Sequence, residues 1–506
     1  MLGARQNKRS RSRHRASSAL RPSVNNTQGF AAGGSSSMNM GGIHPLTNVI
    51  ENEQLLAYES RVKNAFDHIV PVLKQVSGLQ HEADFELHAQ RIAREELGFE
   101  LPQSILADAW VQQLDMKQLF AWCVFESYRR FSDDFFSMDP LGSTNDAKFD
   151  ALLRDCGFHT LDISPCADGR LAHVIRYVLR LPYRLVRRRS YAGALFDIDD
   201  SLDKWVEVEL KRFRDGQLND HTGTLTRYLK AAVYHHSSVD PDHEGCAAHG
   251  SNTALAAEAG MERLVAFRQA VENTHCCGAS IDFLLMGLDT DTDMIRIHIP
   301  DQQGGIDLER YIDAGEVYLA TQSMSATAIQ PWIENFIRGA SPQLSDGMLR
   351  LMTYLIVNNL SQIDYVKQYY NASYSDIGHA ERFIGAGIGF EEIQLRNLTY
   401  FSYLHTVEEA TADLDVGIKI FSHLNVSHGL PIPMVIRFDY HGDVPGARER
   451  AIERCERVVA AVNSRYAHLC EQGLLHTLSA VRDMSVSGKI DVLACSVKAQ
   501  ADEGAH

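Results

Sequence analysis

The chain has 506 residues, of which 45% are apolar and 23% charged, the balance of a water-soluble globular protein. That length exceeds what one hydrophobic core supports, so about two to four domains are expected. A net charge of −16 argues against nucleic acid as the main partner, and no uncharged apolar run is long enough to span a bilayer.

The charge is unevenly placed. The first 50 residues hold seven Lys/Arg and no acid, so the remainder carries −23, seven units beyond the total. Residues 1–45 are low in complexity, with a basic run from Lys8 to Arg15 and then an Ala/Gly/Ser stretch, and are expected to be disordered. Such a tail either solubilises the chain or docks it onto an acidic partner. It lacks the apolar centre of a secretory signal, although its Arg/Ser-rich, acid-free composition also suits an organellar transit peptide. Nine cysteines without a regular framework fit a reducing compartment.

Residues 46–142 carry helical periodicity: Leu55, Tyr58, Val62, Phe66, Ile69 and Leu73, then Leu114, Leu119, Phe120, Val124 and Tyr128. This predicts a small helical domain without chemistry of its own. Residues 143–390 read as α/β. The apolar run Leu161–Ser164 predicts a strand, then a tight turn at Gly169 and a long helical pattern from Leu171. Arg176, Arg180, Arg184, Arg187, Arg188 and Arg189 follow, either packed and paired with acidic groups or forming an anion site for bicarbonate or a phosphorylated metabolite. Arg227–His236 reads as a strand ending in histidine. Asp289-Thr-Asp-Thr-Asp293 lacks the glycine and terminal glutamate of a calcium loop and is expected to be a hairpin between Ile281–Gly287 and Met294–Ile299.

Residues 391–506 echo that order. Met434–His441 is a strand ending in Tyr-His, like Lys230–His235; each leads into an amphipathic helix, at 447–467 and 253–272, and then into a strand pair. The second copy has no Cys-x-Asp-x-Arg and no Gly-Cys, which makes it a degenerate, metal-free duplicate.

The chemistry concentrates at Cys166-Ala-Asp168-Gly-Arg170, at the carboxyl end of the first strand, where ligand sites of α/β sheets lie. Cys246, in Gly245-Cys246-Ala-Ala-His249, is a second thiol. Two thiolates and one imidazole make a zinc site with three protein ligands and an open fourth vertex. His235, His236 and His249 compete for the imidazole position. His236 should face away from His235 on a strand, whereas His249 is a geometric rival. Cys276 and Cys277 lie outside both clusters and are expected to be buried.

Read this far, the residues allow a zinc hydrolase or lyase acting on a small substrate, or a shell or scaffold protein with an inert zinc. A dehydrogenase is disfavoured, because no Gly-x-Gly-x-x-Gly follows a strand.

The motifs Cys156–Arg170, Gly245–Asn252, His275–Asp282, Asn358–Tyr365 and Asp376–Arg382 together resemble the carboxysomal carbonic anhydrases, a divergent branch of the β-class, over about Ile43 to Val497. The resemblance implies a β-carbonic-anhydrase-like catalytic domain, with the second lobe standing in for the partner subunit of ordinary β-class enzymes. It implies one Zn2+ on Cys166, His235 and Cys246, the family spacing selecting His235, and a water or hydroxide that interconverts CO2 and bicarbonate. Asp168 and Arg170 would form a pair beside the metal, and His379 would carry protons. It further implies a carboxysomal location supplying CO2 to Rubisco, recruitment to Rubisco or shell proteins through the basic tail, and a homodimer or larger homo-oligomer.

Overall fold

The periodic segment after residue 46 folds into helices whose apolar stripe is the one expected. Helix α1 (Val49–Asp67) is capped by the Asn48 side chain and buries Leu55, Tyr58, Val62 and Phe66. Pro71 has no N–H to continue the α1 ladder, and α2 (Ile69–Gly78) starts afresh. Helices α3 (Phe85–Glu96), α4 (Gln103–Asp108) and α5 (Met116–Met138) complete this region, and α6 (Asp146–Asp155) leads into the next. The computed structural model describes residues 42–497, apart from 110–111, 143–145, 217–225, 276–278, 301–304, 405–406 and 487. Nearly all of the basic tail, together with Cys276 and Cys277, lies outside the described residues. No helix among them is long and apolar enough to cross a membrane.

The next segment forms a six-stranded sheet: β1 (Thr160–Pro165), β2 (Val186–Arg188), β3 (Thr226–His236), β4 (Ala279–Asp289), β5 (Ile295–Pro300) and β6 (Ile306–Asp313), in the order β2-β1-β3-β4-β5-β6. The first four are parallel, and β5 and β6 run antiparallel to their neighbours. Central strand β3 is buried continuously from Leu229 to His236, as a parallel strand covered on both faces must be. Helix α7 (Ile198–Arg214) connects β2 to β3, and α8 (Thr253–His275) connects β3 to β4. The Asp289–Asp293 turn is the hairpin expected between β4 and β5. Helices α9 (Ala314–Thr321), α10 (Ala326–Ala340) and α11 (Asp346–Tyr369) follow.

One local expectation fails. From Leu171 there is no long helix; the chain makes a π turn at Val174–Val178, places Arg180 at φ 51° and reaches β2. Val174, Ile175, Tyr177, Val178 and Leu179 are all buried, so there is no polar face for an amphipathic helix, and Pro182 biases the preceding residue away from the helical region.

A second sheet begins at β7 (Phe383–Ile388) and continues through β8 (Thr399–Tyr403), β9 (Ile432–Tyr440), β10 (Leu475–Asp483) and β11 (Asp491–Cys495), ordered β11-β10-β9-β7-β8. This repeats β5-β4-β3-β1-β2, with the same parallel and antiparallel pairings. Helices α12 (Val407–Leu424) and α13 (Ala447–Arg465) occupy the connections that α7 and α8 occupy in the first sheet. The fold is therefore α/β with a helical N-terminal region and an internal duplication.

Candidate metal centre

The carboxyl ends of β1 and β3 bring the sequence-distant motifs together. Cys166 leaves the end of β1, with its N–H donating to Val233 of β3 at 3.1 Å. Cys246 precedes a short 3-10 turn (Ala247–His249), and α8 starts at Thr253, as expected. The two Sγ atoms lie 3.9 Å apart, and one nitrogen of His235 and both sulfurs fall within 4.8 Å of one another, all on buried residues. Among the described residues, neither ring nitrogen of His235 has a hydrogen-bond partner. A buried imidazole without a hydrogen bond is costly unless something else binds it. The donor set of two thiols and one imidazole fits Zn2+.

The thiols respond to each other. The hydrogen bond with Cys246, followed by burial, pushes the Cys166 thiol well above its ordinary pKa, while the same contact lowers Cys246.

Beside them, Asp168 is gripped by Arg170: Nε donates to Oδ1 at 3.0 Å and Nη2 to Oδ2 at 2.8 Å. Burial alone would raise the Asp168 carboxyl, but the Arg170 guanidinium, helped by His379 and His235, holds it well below the usual range. Its Oδ2 lies 3.5 Å from His235 Nε2 and 3.8 Å from His379 Nε2. Arg170 Nη1 in turn donates to the Glu244 carbonyl at 2.7 Å and lies 3.2 Å from Glu244 Oε2. Gly169 has an ordinary φ, contrary to the expected turn role. Its requirement is space, since a Cβ there would lie 2.4 Å from Glu381 Cγ.

The rival histidines go elsewhere. His236 faces away, against Arg296 Nη2, and burial reinforced by Arg296 drives its pKa to about 3. His249 Nε2 meets the Gly193 carbonyl at 3.4 Å. Asp293 of the hairpin is held by His173 at 2.7 Å and Gln362 at 2.9 Å. Most of the arginine run is paired: Arg176 with Asp139, Arg180 with Asn52, Arg187 with Asp162 and Asp200, and Arg188 with backbone carbonyls.

Sequence reasoning did not anticipate three contributors. Glu244, adjacent to the Gly-Cys motif, anchors Arg170, and Glu381 lies beside His379. The third is the second lobe, which pins the whole turn: Phe401 N–H donates to the Ala167 carbonyl at 3.1 Å, Asn397 N–H to Gly169 at 2.9 Å and Arg396 to Arg170 at 3.3 Å. The proximity of Glu244 and Glu381 to quoted motifs was a usable signal; the backbone bonds left none.

Family models of the carboxysome shell carbonic anhydrase match the chain as an N-terminal region (residues 44–136), a catalytic domain (148–379) and a C-terminal region (380–497). The chain belongs to the carboxysome shell carbonic anhydrase family. Similar members include the carboxysome shell carbonic anhydrases of Parasynechococcus marenigrum WH8102, 56% identical over 90% of this chain and 79% of that protein, and of Prochlorococcus marinus MIT 9313, 52% identical over 93% and 91%. That of Halothiobacillus neapolitanus is 44% identical over 89% of this chain and 90% of its own length. In this member of the carboxysome shell carbonic anhydrases, the Cys166, His235 and Cys246 cluster lies within the segment matched by the catalytic-domain model.

Proposed function

We propose that the chain interconverts CO2 and bicarbonate inside the carboxysome, with Cys166, His235 and Cys246 holding one Zn2+. The observation that carries this reading is the buried convergence of two thiols on an imidazole that makes no hydrogen bond among the described residues. Bound there, zinc supplies the positive charge that acidifies a water and steadies the developing bicarbonate. Two thiolates and a neutral imidazole cancel the dication's charge. They acidify a water less than the three-histidine carbonic anhydrase site does, where its pKa is about 7. Activity accordingly rises toward alkaline pH.

Asp168 could itself occupy the open vertex. The Arg170 fork commits both carboxylate oxygens, keeps them ionised and leaves a lone pair to accept a hydrogen bond from the attacking water, orienting it toward CO2. His379, 3.8 Å from Asp168 with part of its ring at solvent, receives the proton that each turnover releases. The basic tail recruits the enzyme to Rubisco or shell proteins, to which CO2 is delivered, and the protein acts as a homodimer or larger homo-oligomer.

Stopped-flow CO2 hydration with zinc counted tests this. The intact chain is expected to be active with one zinc, Cys166→Ala inactive and zinc-poor, and Asp168→Ala zinc-loaded but slow. Zinc-replete protein without hydration activity contradicts the reading and returns an inert scaffold.

A phosphorylated-metabolite regulator has one observation in its favour. A cleft of ≈ 690 Å³ is lined by Arg154, Arg184, Arg187, Arg189, Lys204 and Lys211, facing Glu391 and Asp439. Unchanged phosphate-ester affinity in an Arg184→Ala, Lys204→Ala double variant ends that reading.

A further inference from the structure

Glu381 is fully buried and belongs to no part of the reaction described so far. Its Oε1 lies 2.9 Å from His379 Nδ1, and its Oε2 has no hydrogen-bond partner among the described residues. The side chain lies across Gly169, so close that a Cβ there would meet Glu381 Cγ at 2.4 Å and Oε1 at 2.7 Å. A glycine in the turn bearing Asp168 and Arg170 is therefore what admits this carboxylate. His379 presents its other nitrogen, Nε2, to Asp168 Oδ2 at 3.8 Å, while 23% of its side chain is exposed. One ring thus reaches from two buried carboxylates to solvent. The charged groups facing it are Asp168 and Arg170 from the turn after β1 and Glu381 from its own segment. Burial lowers the His379 pKa, but Glu381 and then Asp168 raise it, with a net upward shift.

We infer that Glu381 is a positioning residue for proton release: it accepts the Nδ1–H of His379 and so leaves the Nε2 lone pair facing the reaction side. This rests on the proposed CO2 hydration. The logic is that of a carboxylate that orients a histidine and stabilises its cation without itself being protonated. In the forward direction Nε2 takes the proton released by the attacking water, the ring becomes imidazolium beside a Glu381 that stays ionised, and a base from solvent then removes the proton. Without the carboxylate the ring is free to place its proton on Nε2, which then cannot accept one.

The test uses the full, zinc-loaded chain with Glu381→Gln, and measures oxygen-18 exchange between CO2 and water, which separates interconversion from the proton-dependent release of labelled water. Interconversion is expected to stay within about twofold of the parent. Proton-dependent release should fall on the order of tenfold, a modest share of what acid–base groups supply. Added imidazole should restore it, and the NMR titration midpoint of His379 should drop. Glu381→Asp should recover part of the loss, and His379→Ala should gain nothing further from Glu381→Gln. Unchanged proton release, or an equal fall in both rates that imidazole does not repair, overturns the inference. If Glu381→Gln loses zinc, Glu381→Asp decides by the same criteria. A parent without hydration activity strikes the proposed reaction itself, whereas an active parent indifferent to Glu381→Gln strikes this inference alone.

Discussion

The two sheets share strand order and connections, yet the carboxyl ends of their first and third strands hold opposite chemistry. In the first sheet, Cys166, His235 and Cys246 converge with an unsatisfied imidazole. In the second, Gly389-Phe390-Glu391-Glu392 follows β7 where the Cys166 turn follows β1, and Arg437 of β9 is locked into a closed network. Its Nη1 donates to Glu392 Oε1 at 2.6 Å and its Nη2 to Glu392 Oε2 at 3.0 Å and to Asp439 Oδ2 at 3.0 Å, with Tyr128 and Ser132 of α5 completing the set. One lobe gathers two thiols and an imidazole; in the other, a buried arginine is paired with two carboxylates. The teaching is that duplication preserved the frame while the spare copy became a support. Its strand β8 and the segment before it hold the Ala167–Arg170 turn through three hydrogen bonds, from Phe401, Asn397 and Arg396.

The comparison breaks most sharply at a ligand. Cys166→Ala should lower CO2 hydration by more than the roughly 100-fold that outer-shell losses cost, with zinc content falling in parallel; retention of both would remove the asymmetry between lobes. Next comes Arg437→Ala, which strands two buried carboxylates and should destabilise the fold by about 3–5 kcal/mol in denaturant unfolding. Zinc per folded chain should be unchanged, and a loss of metal instead would show that the second lobe is not merely a support. Arg170→Ala frees Asp168 to compete for the metal, and should lower activity roughly 10–100-fold with zinc retained.

The smallest effect is in pH. Burial raises Glu391 from 4.5 to about 7 and Asp439 from 3.8 to about 6. A carboxyl raised in the folded state contributes stability that is complete below its unfolded value and is lost as pH climbs through the folded one. These groups should therefore weaken the fold between about pH 4 and 7. Asp168 is shifted the other way, and its contribution is lost only as pH falls below the ordinary Asp range. Glu391→Gln should flatten the stability slope between pH 5 and 7 in thermal melts taken across that window; an unaltered slope would show that the lobes do not differ in this way.

Much of this was legible in the residues. The stripe Leu55, Tyr58, Val62, Phe66 gave the first helix, and the strand-end positions of Cys166 and His235 marked both as candidates, because strand period and turn position constrain where such side chains emerge; the family resemblance, not geometry, chose His235 over His249. The order β9, α13, β10, β11 was likewise visible as an echo. Its earlier half was not. Strand β7, Phe-Ile-Gly-Ala-Gly-Ile, has too little side chain to signal a strand, and no residue type reports that Phe401 will donate its N–H to Ala167. The segment after Leu171 misled for a related reason: buried all round, it has no face from which to read a period. Glu381 escaped notice because a buried glutamate looks like any other until its neighbour is known.

Zinc K-edge X-ray absorption on the purified full chain tests the central claim most directly. One zinc per chain is expected, with two sulfurs at about 2.3 Å, one imidazole nitrogen near 2.0–2.1 Å and one further light atom, the sulfur count falling to one or the metal vanishing in Cys246→Ser. A zinc shell with one sulfur or none in the unaltered protein, or a shell that Cys246→Ser leaves intact, would contradict it.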